Sequence, residues 1–304
     1  MDGHMSPFKI AFLLTTTVAS ALAYEEGTLK FPVKAVHITS LFGESRGDHF
    51  HAGIDFSTEQ PVWAAAAGEV VFCRDTARDG GRVLLGPGNF AVLEHAENLR
   101  SYYYHLATGS VTRPLDRVST EQILGMMGST GRSTANHLHF MVEDRKAGRI
   151  LNPLAVLPPV KDTRNPEVAS LLLMGRDNKP QPLRDGRVLS LRGEMKLFAI
   201  AWDLRYDMMG DWHRRPNAFN GAGVRRLSWK VDDRLIRVYD FTYLKKSPRG
   251  FVVEGDFTHD DVYGLPWNFR LGSFLPIQPM HDFQVSAEDW AGNADTFRAR
   301  LLFR

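Results

Sequence analysis

The chain has 304 residues, of which 43% are hydrophobic and 24% charged, and its formal net charge is +2. This length suggests one large or two ordinary domains, and the small charge argues against a general nucleic-acid-binding protein, so we expect no nucleic-acid partner. The single cysteine, Cys73, excludes an intrachain disulfide. Its apolar neighbours, Val70-Val71-Phe72, predict that it is buried as a small hydrophobic residue.

The N-terminus has the pattern of an export signal. Lys9 precedes an apolar stretch at 10–18, and Ala21-Leu22-Ala23 places a small residue at each end of a cleavage site. We therefore predict a signal peptide at 1–23 and a mature chain that begins at Tyr24, in the periplasm or outside the cell. No other segment has ~18 uninterrupted apolar residues, so we expect no membrane span. We also expect a monomer.

Short apolar and alternating runs dominate the first half of the chain, and glycine-rich turns separate them. The strands that this pattern predicts are 33–41, 53–56, 62–73, 82–85, 89–94 and 101–105. No long stretch before residue 150 has helical periodicity, although 115–122 predicts one short helical turn. The segment 24–158 is therefore predicted to be an antiparallel β-sheet domain.

A second set of strands follows a proline-containing linker at 159–166. The predicted strands are 168–174, 188–191, 196–202, 224–231, 234–244, 267–271, 282–288 and 296–303. Their spacing suggests a β-sandwich over 167–304, which makes the whole chain all-β. Residues 204–223 form a long aromatic and basic loop in this half.

Two pairs of residues have the spacing of metal ligands. His51 and Asp55 are four apart, and His137 and His139 are two apart, so the members of each pair share a face of a strand. A His₂Asp set with one open position is the pattern of a catalytic zinc site. Spacing decides neither which of His137 and His139 is the ligand nor whether His49, which shares a face with His51, takes part.

The remaining histidines carry weaker signals. His105 follows three tyrosines, and an imidazole beside a metal site acts as a base or stabilises negative charge. Taken alone, a hydrogen-bonded strand histidine explains His105 better, and we interpret His95 in that way. Five others have no partner at ligand spacing and are predicted at the surface: His4, His37, His213, His259 and His281.

A series of motifs resembles the lysostaphin/LytM-type zinc metallopeptidases, in the same order, over about 35–157. The motifs are Ser40-Leu41-Phe42-Gly43 through Arg46, His51-Ala52-Gly53-Ile54-Asp55, 61–71, 88–95, Tyr104-His105-Leu106, Gly128-Ser129-Thr130-Gly131 and His137-Leu138-His139-Phe140. Each motif is weak alone, and their common order makes the resemblance specific. Asn136 departs from the family, which commonly has proline there, and so does Met141-Val142-Glu143 after the last motif.

The resemblance implies a function and a role for each site residue. The family cleaves peptide bonds in bacterial peptidoglycan. By resemblance, His51, Asp55 and His139 bind Zn²⁺, and His105 and His137 are the catalytic histidines beside it. Zinc lowers the pKa of a bound water towards ~7, which yields a nucleophile at neutral pH.

Two other functions compete with an exported zinc endopeptidase. Some relatives lack ligands and act only as wall-binding proteins or activators of other wall hydrolases, but none of the five site residues is replaced here. Iron oxygenases also use a His₂Asp set. They usually place the carboxylate two residues after the first histidine rather than four, and an exported protein is a poor place to keep ferrous iron.

The second half resembles no enzyme family. Its segment Phe283-Gln284-Val285-Ser286-Ala287-Glu288-Asp289-Trp290-Ala291-Gly292-Asn293 is similar to the closing strand and turn of bacterial immunoglobulin-like domains. This resemblance implies an immunoglobulin-like sandwich at 167–304 that positions the enzyme or contacts wall glycans. The loop at 204–223 contacts wall glycans, contacts the catalytic groove or is a plain solvated loop, and the last is favoured.

Overall fold

The computed structural model describes residues 24–57, 59–77, 86–112, 116–176, 178–186, 188–189, 193–203, 223–264 and 268–303. The predicted signal peptide, the predicted strand at 82–85 and all but the last residue of the loop at 204–223 lie outside these ranges. None of the helices within them has the length and apolar character needed to span a membrane.

Where the structure describes it, the first half of the chain consists of short strands and two single-turn 3₁₀ helices, Ala96–Asn98 and Pro153–Ala155. The strands are β1 (Ile38–Ser40), β2 (Ile54–Phe56), β3 (Pro61–Trp63), β4 (Gly68–Arg74), β5 (Asn89–Glu94), β6 (Leu99–Leu106), β7 (Arg117–Val118), β8 (Ile123–Met126), β9 (Leu138–Asp144) and β10 (Arg149–Leu151). The central part of the main sheet has the order β10-β9-β6-β5-β4-β7, and β2 pairs with β9. The predicted antiparallel β fold is therefore confirmed.

Alternation along β6 and β9 gives the main sheet one buried and one open face. Tyr103 and Phe140 point into the core and are fully buried. Tyr104 and His139, their neighbours in sequence, lie on the opposite face and are only half-buried. Because successive side chains of a strand alternate between faces, the sequence that fills the core also places an imidazole on the open face.

The described residues of the second half form twelve further strands and one short helix, α1 (His259–Val262). The strands are β11 (Glu167–Met174), β12 (Pro180–Pro182), β13 (Val188–Leu189), β14 (Met195–Trp202), β15 (Arg226–Val231), β16 (Arg234–Asp240), β17 (Tyr243–Ser247), β18 (Gly250–Val253), β19 (Phe257–Thr258), β20 (Phe269–Phe274), β21 (Met280–Glu288) and β22 (Ala294–Phe303). Two sheets, β12-β11-β14-β20 and β13-β22-β21-β15-β16, contact each other as a sandwich does. An immunoglobulin-like topology for it stays a prediction.

Three strands of the second half belong to the sheet of the first half. Strand β17 pairs with β10 in antiparallel register, with Lys245 opposite Arg149, and β18 and β19 continue the sheet outward. The division into 24–158 and 167–304, with a linker at 159–166, stays a prediction. The two halves nevertheless share one sheet and one continuous hydrophobic core.

Several local predictions are wrong. The predicted strand at 62–73 is interrupted between β3 and β4, which pair in different sheets. The predicted strand at 234–244 breaks where the Asp240 carboxylate accepts a hydrogen bond from the Thr242 N–H, 3.0 Å away. At 115–122 the described residues form β7 and a turn, not a helical turn. Cys73 is exposed rather than buried, because neither face of β4 is fully covered.

Candidate metal centre

Sheet register brings two of the candidate ligands together. Asp55 on β2 lies directly opposite His139 on β9, in the same antiparallel pairing that sets Ile54 opposite Phe140. Ile54 and Phe140 are fully buried, so the core fixes this register. His51 lies three residues before β2 and is itself buried.

The three candidate ligands converge on one point. His51 Nε2 lies 3.1 Å from Asp55 Oδ1 and 2.9 Å from His139 Nδ1, and the last two atoms are 2.9 Å apart. Ligand atoms of a tetrahedral zinc, ~2.0–2.1 Å from the ion, are themselves roughly 3.3 Å apart. The triangle therefore has to open by only a few tenths of an ångström, and these residues fit a metal ion.

The tautomer of His51 is set by the backbone. Its Nδ1 lies 2.8 Å from the carbonyl oxygen of Leu41 and donates a hydrogen bond to it. In the neutral ring the lone pair is then on Nε2, which faces Asp55 and His139. A ligand histidine whose second nitrogen donates to a carbonyl is the usual support of a metal site.

Gly53 makes room for the third ligand. A Cβ atom at this position would lie 2.4 Å from the carbonyl oxygen of Phe140 and 2.9 Å from Nε2 of His139. Any larger residue would push β9 and the imidazole of His139 away from the cluster. The glycine between His51 and Asp55 is therefore a packing requirement of the site.

Arg46 binds Oδ2 of Asp55, the carboxylate oxygen that does not face the two imidazoles. Arg46 Nη2 donates to Asp55 Oδ2 at 2.9 Å and to the Ser40 hydroxyl at 2.7 Å. Ser40 in turn donates to the buried carboxylate of Glu44, which also accepts the N–H of Leu41. Asp55 thus has one oxygen committed to Arg46 and the other directed at the two imidazoles.

Electrostatics favour the metal-binding protonation states of Asp55 and His51. Burial raises the pKa of Asp55, but the charges and hydrogen bonds of His51 and His139 outweigh it and hold that pKa well below its usual range. Burial lowers the pKa of His51, which favours the neutral imidazole. A carboxylate and a neutral imidazole are the forms that coordinate metal ions.

Two further imidazoles lie beside the three ligands. The rings of His105 and His137 are 4.8 Å apart, and His137 Nε2 is 3.9 Å from Asp55 Oδ1. His105 Nδ1 donates to the carbonyl of Thr130 at 2.8 Å, and His137 Nδ1 donates to that of Ala135 at 2.9 Å. Both rings therefore keep Nε2 for other partners.

His105 is held in an unusual state. Burial lowers its pKa to about 4, so the ring is neutral at pH 7. Its backbone φ is +65°, in the left-handed region that residues other than glycine rarely adopt. Backbone strain of this kind is concentrated at functional sites.

The structure places some of the remaining histidines at the surface and buries others, not always as predicted. His49, which spacing did not exclude, points away from the cluster and pairs with the neighbouring Asp48. His95 bonds Ala67 and Ser101, as expected for a structural histidine. The predicted surface positions of His259 and His281 are wrong, because both are buried and hydrogen-bonded. His4 and His213 lie outside the described residues.

Sequence reasoning missed the groups that support the ligands. Arg46 belongs to a quoted motif but received no role, and the Leu41 carbonyl has no side-chain signature at all. The charged residues Glu44 and Arg46, which come shortly before His51 in that motif, were the one available signal.

Comparison with known proteins finds one protein-family match and several similar curated proteins. The model of peptidase family M23 matches residues 49–153. The protein DD-carboxypeptidase/endopeptidase Mpg of Neisseria meningitidis serogroup B (strain ATCC 13091 / M2091) is 34% identical over 122 residues, which cover 40% of this chain and 26% of Mpg. The murein hydrolase activator NlpD of Escherichia coli (strain K12) is 34% identical over 131 residues, 43% of this chain and 31% of NlpD.

A shorter relative is matched along almost its whole length. The lipoprotein NlpD of Yersinia enterocolitica is 37% identical over 102 residues, which cover 34% of this chain and 94% of the relative. The solved structure of a zinc-containing peptidase from Vibrio cholerae is 27% identical and has a TM-score of 0.36, with 44% of this chain and 41% of that chain covered. The chain spans only about a quarter to a third of Mpg and of the Escherichia coli NlpD.

The matched segment contains all five candidate site residues, from His51 to His139, and coincides with most of the segment that carries the lysostaphin/LytM motifs. The resemblance drawn from those motifs is therefore confirmed. This chain belongs to peptidase family M23.

Proposed function

We propose that the chain is an exported zinc metalloendopeptidase that hydrolyses peptide stems or cross-links of bacterial peptidoglycan, in the periplasm or outside the cell. One observation carries the proposal: His51, Asp55 and His139 direct three ligand atoms at one point, with two further imidazoles beside them. Membership of a peptidase family and the similarity to Mpg support it. The predicted signal peptide supports export.

The proposed ligands would hold the metal through His51 Nε2, Asp55 Oδ1 and His139 Nδ1. A zinc ion, when bound, supplies a Lewis acid and lowers the pKa of a water from 15.7 to roughly 7. Arg46 and the Leu41 carbonyl keep Asp55 and His51 in the orientation that this requires. Two imidazoles and one carboxylate leave a position open for substrate, as catalytic sites do.

His105 and His137 are proposed as the catalytic histidines. Each donates its Nδ1–H to a backbone carbonyl, which leaves Nε2 to exchange a proton with the reacting groups. A neutral imidazole accepts the proton of the attacking water, and a protonated one donates to the oxyanion or the leaving amine. Burial keeps the His105 ring neutral at pH 7, so its Nε2 has a lone pair that can accept a proton.

The alternative is a non-catalytic activator of wall hydrolases, as the name of the Escherichia coli relative describes that protein. An activator needs only the fold and a binding surface. The complete ligand set, its buried support and the two adjacent histidines have no use in such a protein, so they favour the enzyme. Contact of the second half with wall glycans and a monomeric state remain parts of the proposal.

Chelation tests the enzyme against the activator. Purified sacculi incubated with the full chain should release peptide-containing fragments, a chelator such as 1,10-phenanthroline should stop the release, and added Zn²⁺ should restore it. Chromatography of the soluble fraction measures this directly. Release that is unchanged after the metal has been removed, or that requires a second hydrolase, would exclude the proposed enzyme.

Arg46 should contribute to metal affinity although it does not touch the metal. In Arg46→Met the Asp55 carboxylate loses a charged hydrogen bond, so we expect the zinc dissociation constant to rise about 10- to 100-fold. Competition with a chromophoric chelator measures it. Arg145→Met is the matched control, because Arg145 pairs with Glu94 away from the cluster. Equal zinc affinity in Arg46→Met and wild type would contradict the role of Arg46.

A further inference from the structure

The residues that precede Asp55 form a small hairpin that carries His51. The N–H of Gly43 donates to the carbonyl of His51 at 2.8 Å, the N–H of His51 donates to that of Glu44 at 2.7 Å, and Arg46 and His49 close the turn. We call residues 43–51 the ligand hairpin. It holds the main chain of His51 at one end and presents Arg46 to Asp55 at the other, so its position affects two of the three ligands.

Two buried hydrogen bonds join the ligand hairpin to the second half of the chain. The Tyr263 hydroxyl donates to the carbonyl oxygen of Gly43 at 2.8 Å. The Ser45 hydroxyl lies 2.8 Å from His259 Nε2. The partners are more than 200 residues apart in sequence, with separations of 220 and 214. Burial raises the pKa of Tyr263 well above its usual range, so its hydroxyl stays a donor.

Aromatic rings pack around these two hydrogen bonds. The ring of Phe50 lies 6.3 Å from that of Phe241, 5.5 Å from that of His259 and 6.0 Å from that of Tyr263, measured between centroids. Gly43, with φ +81°, lies so near Phe241 that a Cβ atom would be 2.5 Å from Cδ1 of that ring. The hairpin is therefore packed against the second half without a gap.

The supporting segment is itself fixed on both sides. Helix α1, which carries His259, begins with a capping box in which Thr258 and Asp261 satisfy each other's N–H groups. On the N-terminal side of α1, strand β17 pairs with β10 of the main sheet. Strand β10 pairs in turn with β9, which carries His139. The same segment thus contacts both the ligand hairpin and the sheet that bears the third ligand.

We propose that the segment 241–263 positions the ligand hairpin, so that the second half of the chain completes the metal site of the first half. Tyr263 and His259 are positioning residues, since they act through the backbone of 43–45 and touch neither metal nor substrate. The inference rests on the proposed metal site, but it assigns the second half a role in metal affinity rather than only in wall contact.

The first test measures zinc affinity in the full chain by competition with a chromophoric chelator. Tyr263→Phe keeps the ring and removes the hydrogen bond to Gly43, so we expect the zinc dissociation constant to rise about 3- to 10-fold. Ser286→Ala is the control. The Ser286 hydroxyl is also in the second half and lies 2.9 Å from that of Thr296, and neither residue belongs to 241–263 or to the ligand hairpin.

The control separates a specific role from general loosening. We expect Ser286→Ala to bind zinc as wild type does, although both variants lose thermal stability in the zinc-free state. An equal rise of the dissociation constant in both variants would overturn the inference. Unchanged affinity in Tyr263→Phe would overturn it too.

A double-mutant cycle gives an independent test on the second hydrogen bond. Ser45→Ala and His259→Phe each remove one partner, and phenylalanine keeps the packing against Phe50. If the two side chains affect the metal site only through their hydrogen bond, the zinc dissociation constant of the double variant should not exceed the larger of the two single-variant constants. Full additivity, or no loss in either single variant, would contradict the inference.

Failure of the inference is distinguishable from failure of the proposed function. If the wild-type chain binds no zinc, the proposed function itself fails. If wild type and Tyr263→Phe bind zinc equally tightly and both release fragments from sacculi, the enzyme stands and only the role of the second half is wrong.

Discussion

His51→Ala should lose both zinc and hydrolysis of sacculi. The side chain supplies one of three proposed ligand atoms, and its removal leaves Asp55 and His139 alone. Loss of a supporting group outside the ligand shell typically costs ~10- to 100-fold in metal affinity or activity, so loss of a ligand should cost more than about 100-fold. Metal analysis of the purified variant and fragment release from sacculi measure the two effects.

His49→Ala is the matched control for this variant. His49 lies in the same hairpin, two residues from His51, but its side chain is exposed and pairs with Asp48. It should keep one zinc per chain and release fragments at the wild-type rate. If His51→Ala kept its zinc and its activity, or if His49→Ala lost them, the proposed ligand set would be wrong.

His105→Ala and His137→Ala should keep zinc and lose hydrolysis. Neither ring belongs to the triangle of ligand atoms, yet both lie beside it with Nε2 uncommitted to a backbone carbonyl. General acid–base catalysis contributes typically ~10²- to 10⁴-fold, and we expect each variant to lose activity in that range. The rate of fragment release per bound zinc is the quantity to measure.

Metal content decides between the two members of the His137/His139 pair. We expect His139→Ala to lose zinc and His137→Ala to retain it. Loss of zinc from His137→Ala, with retention in His139→Ala, would exchange their proposed roles. Full activity in both His105→Ala and His137→Ala would contradict any role for these histidines in catalysis.

Local sequence patterns predicted some of the residues that the structure brings together, namely His51, Asp55 and His139. Period-two alternation in 137–139 predicted two imidazoles on one face of a strand, but only His139 lies on β9 and His137 directly precedes it. The four-residue spacing of His51 and Asp55 brought both side chains to one site, although only Asp55 lies on a strand. Spacing did not separate His137 from His139, because the distinction depends on the register of β2 against β9.

Contacts between distant parts of the chain could not be predicted in this way. Periodicity shows which face of a strand is apolar, but it does not identify the partner strand. The pairing of β17 with β10 and the burial of His259 against Ser45 both depend on such choices. His259 was predicted at the surface because it has no partner at ligand spacing, and its buried partner Ser45 is 214 residues away in sequence.

Peptide-bond hydrolysis by this site is the central claim, and one measurement tests it most directly. The zinc-loaded full chain is incubated with defined sacculi in H₂¹⁸O, and the released fragments are analysed by mass spectrometry. We predict fragments with new peptide termini, one ¹⁸O atom in each new carboxyl group, and none with His51→Ala. Intact peptide stems and cross-links after incubation with the zinc-loaded chain would contradict the account.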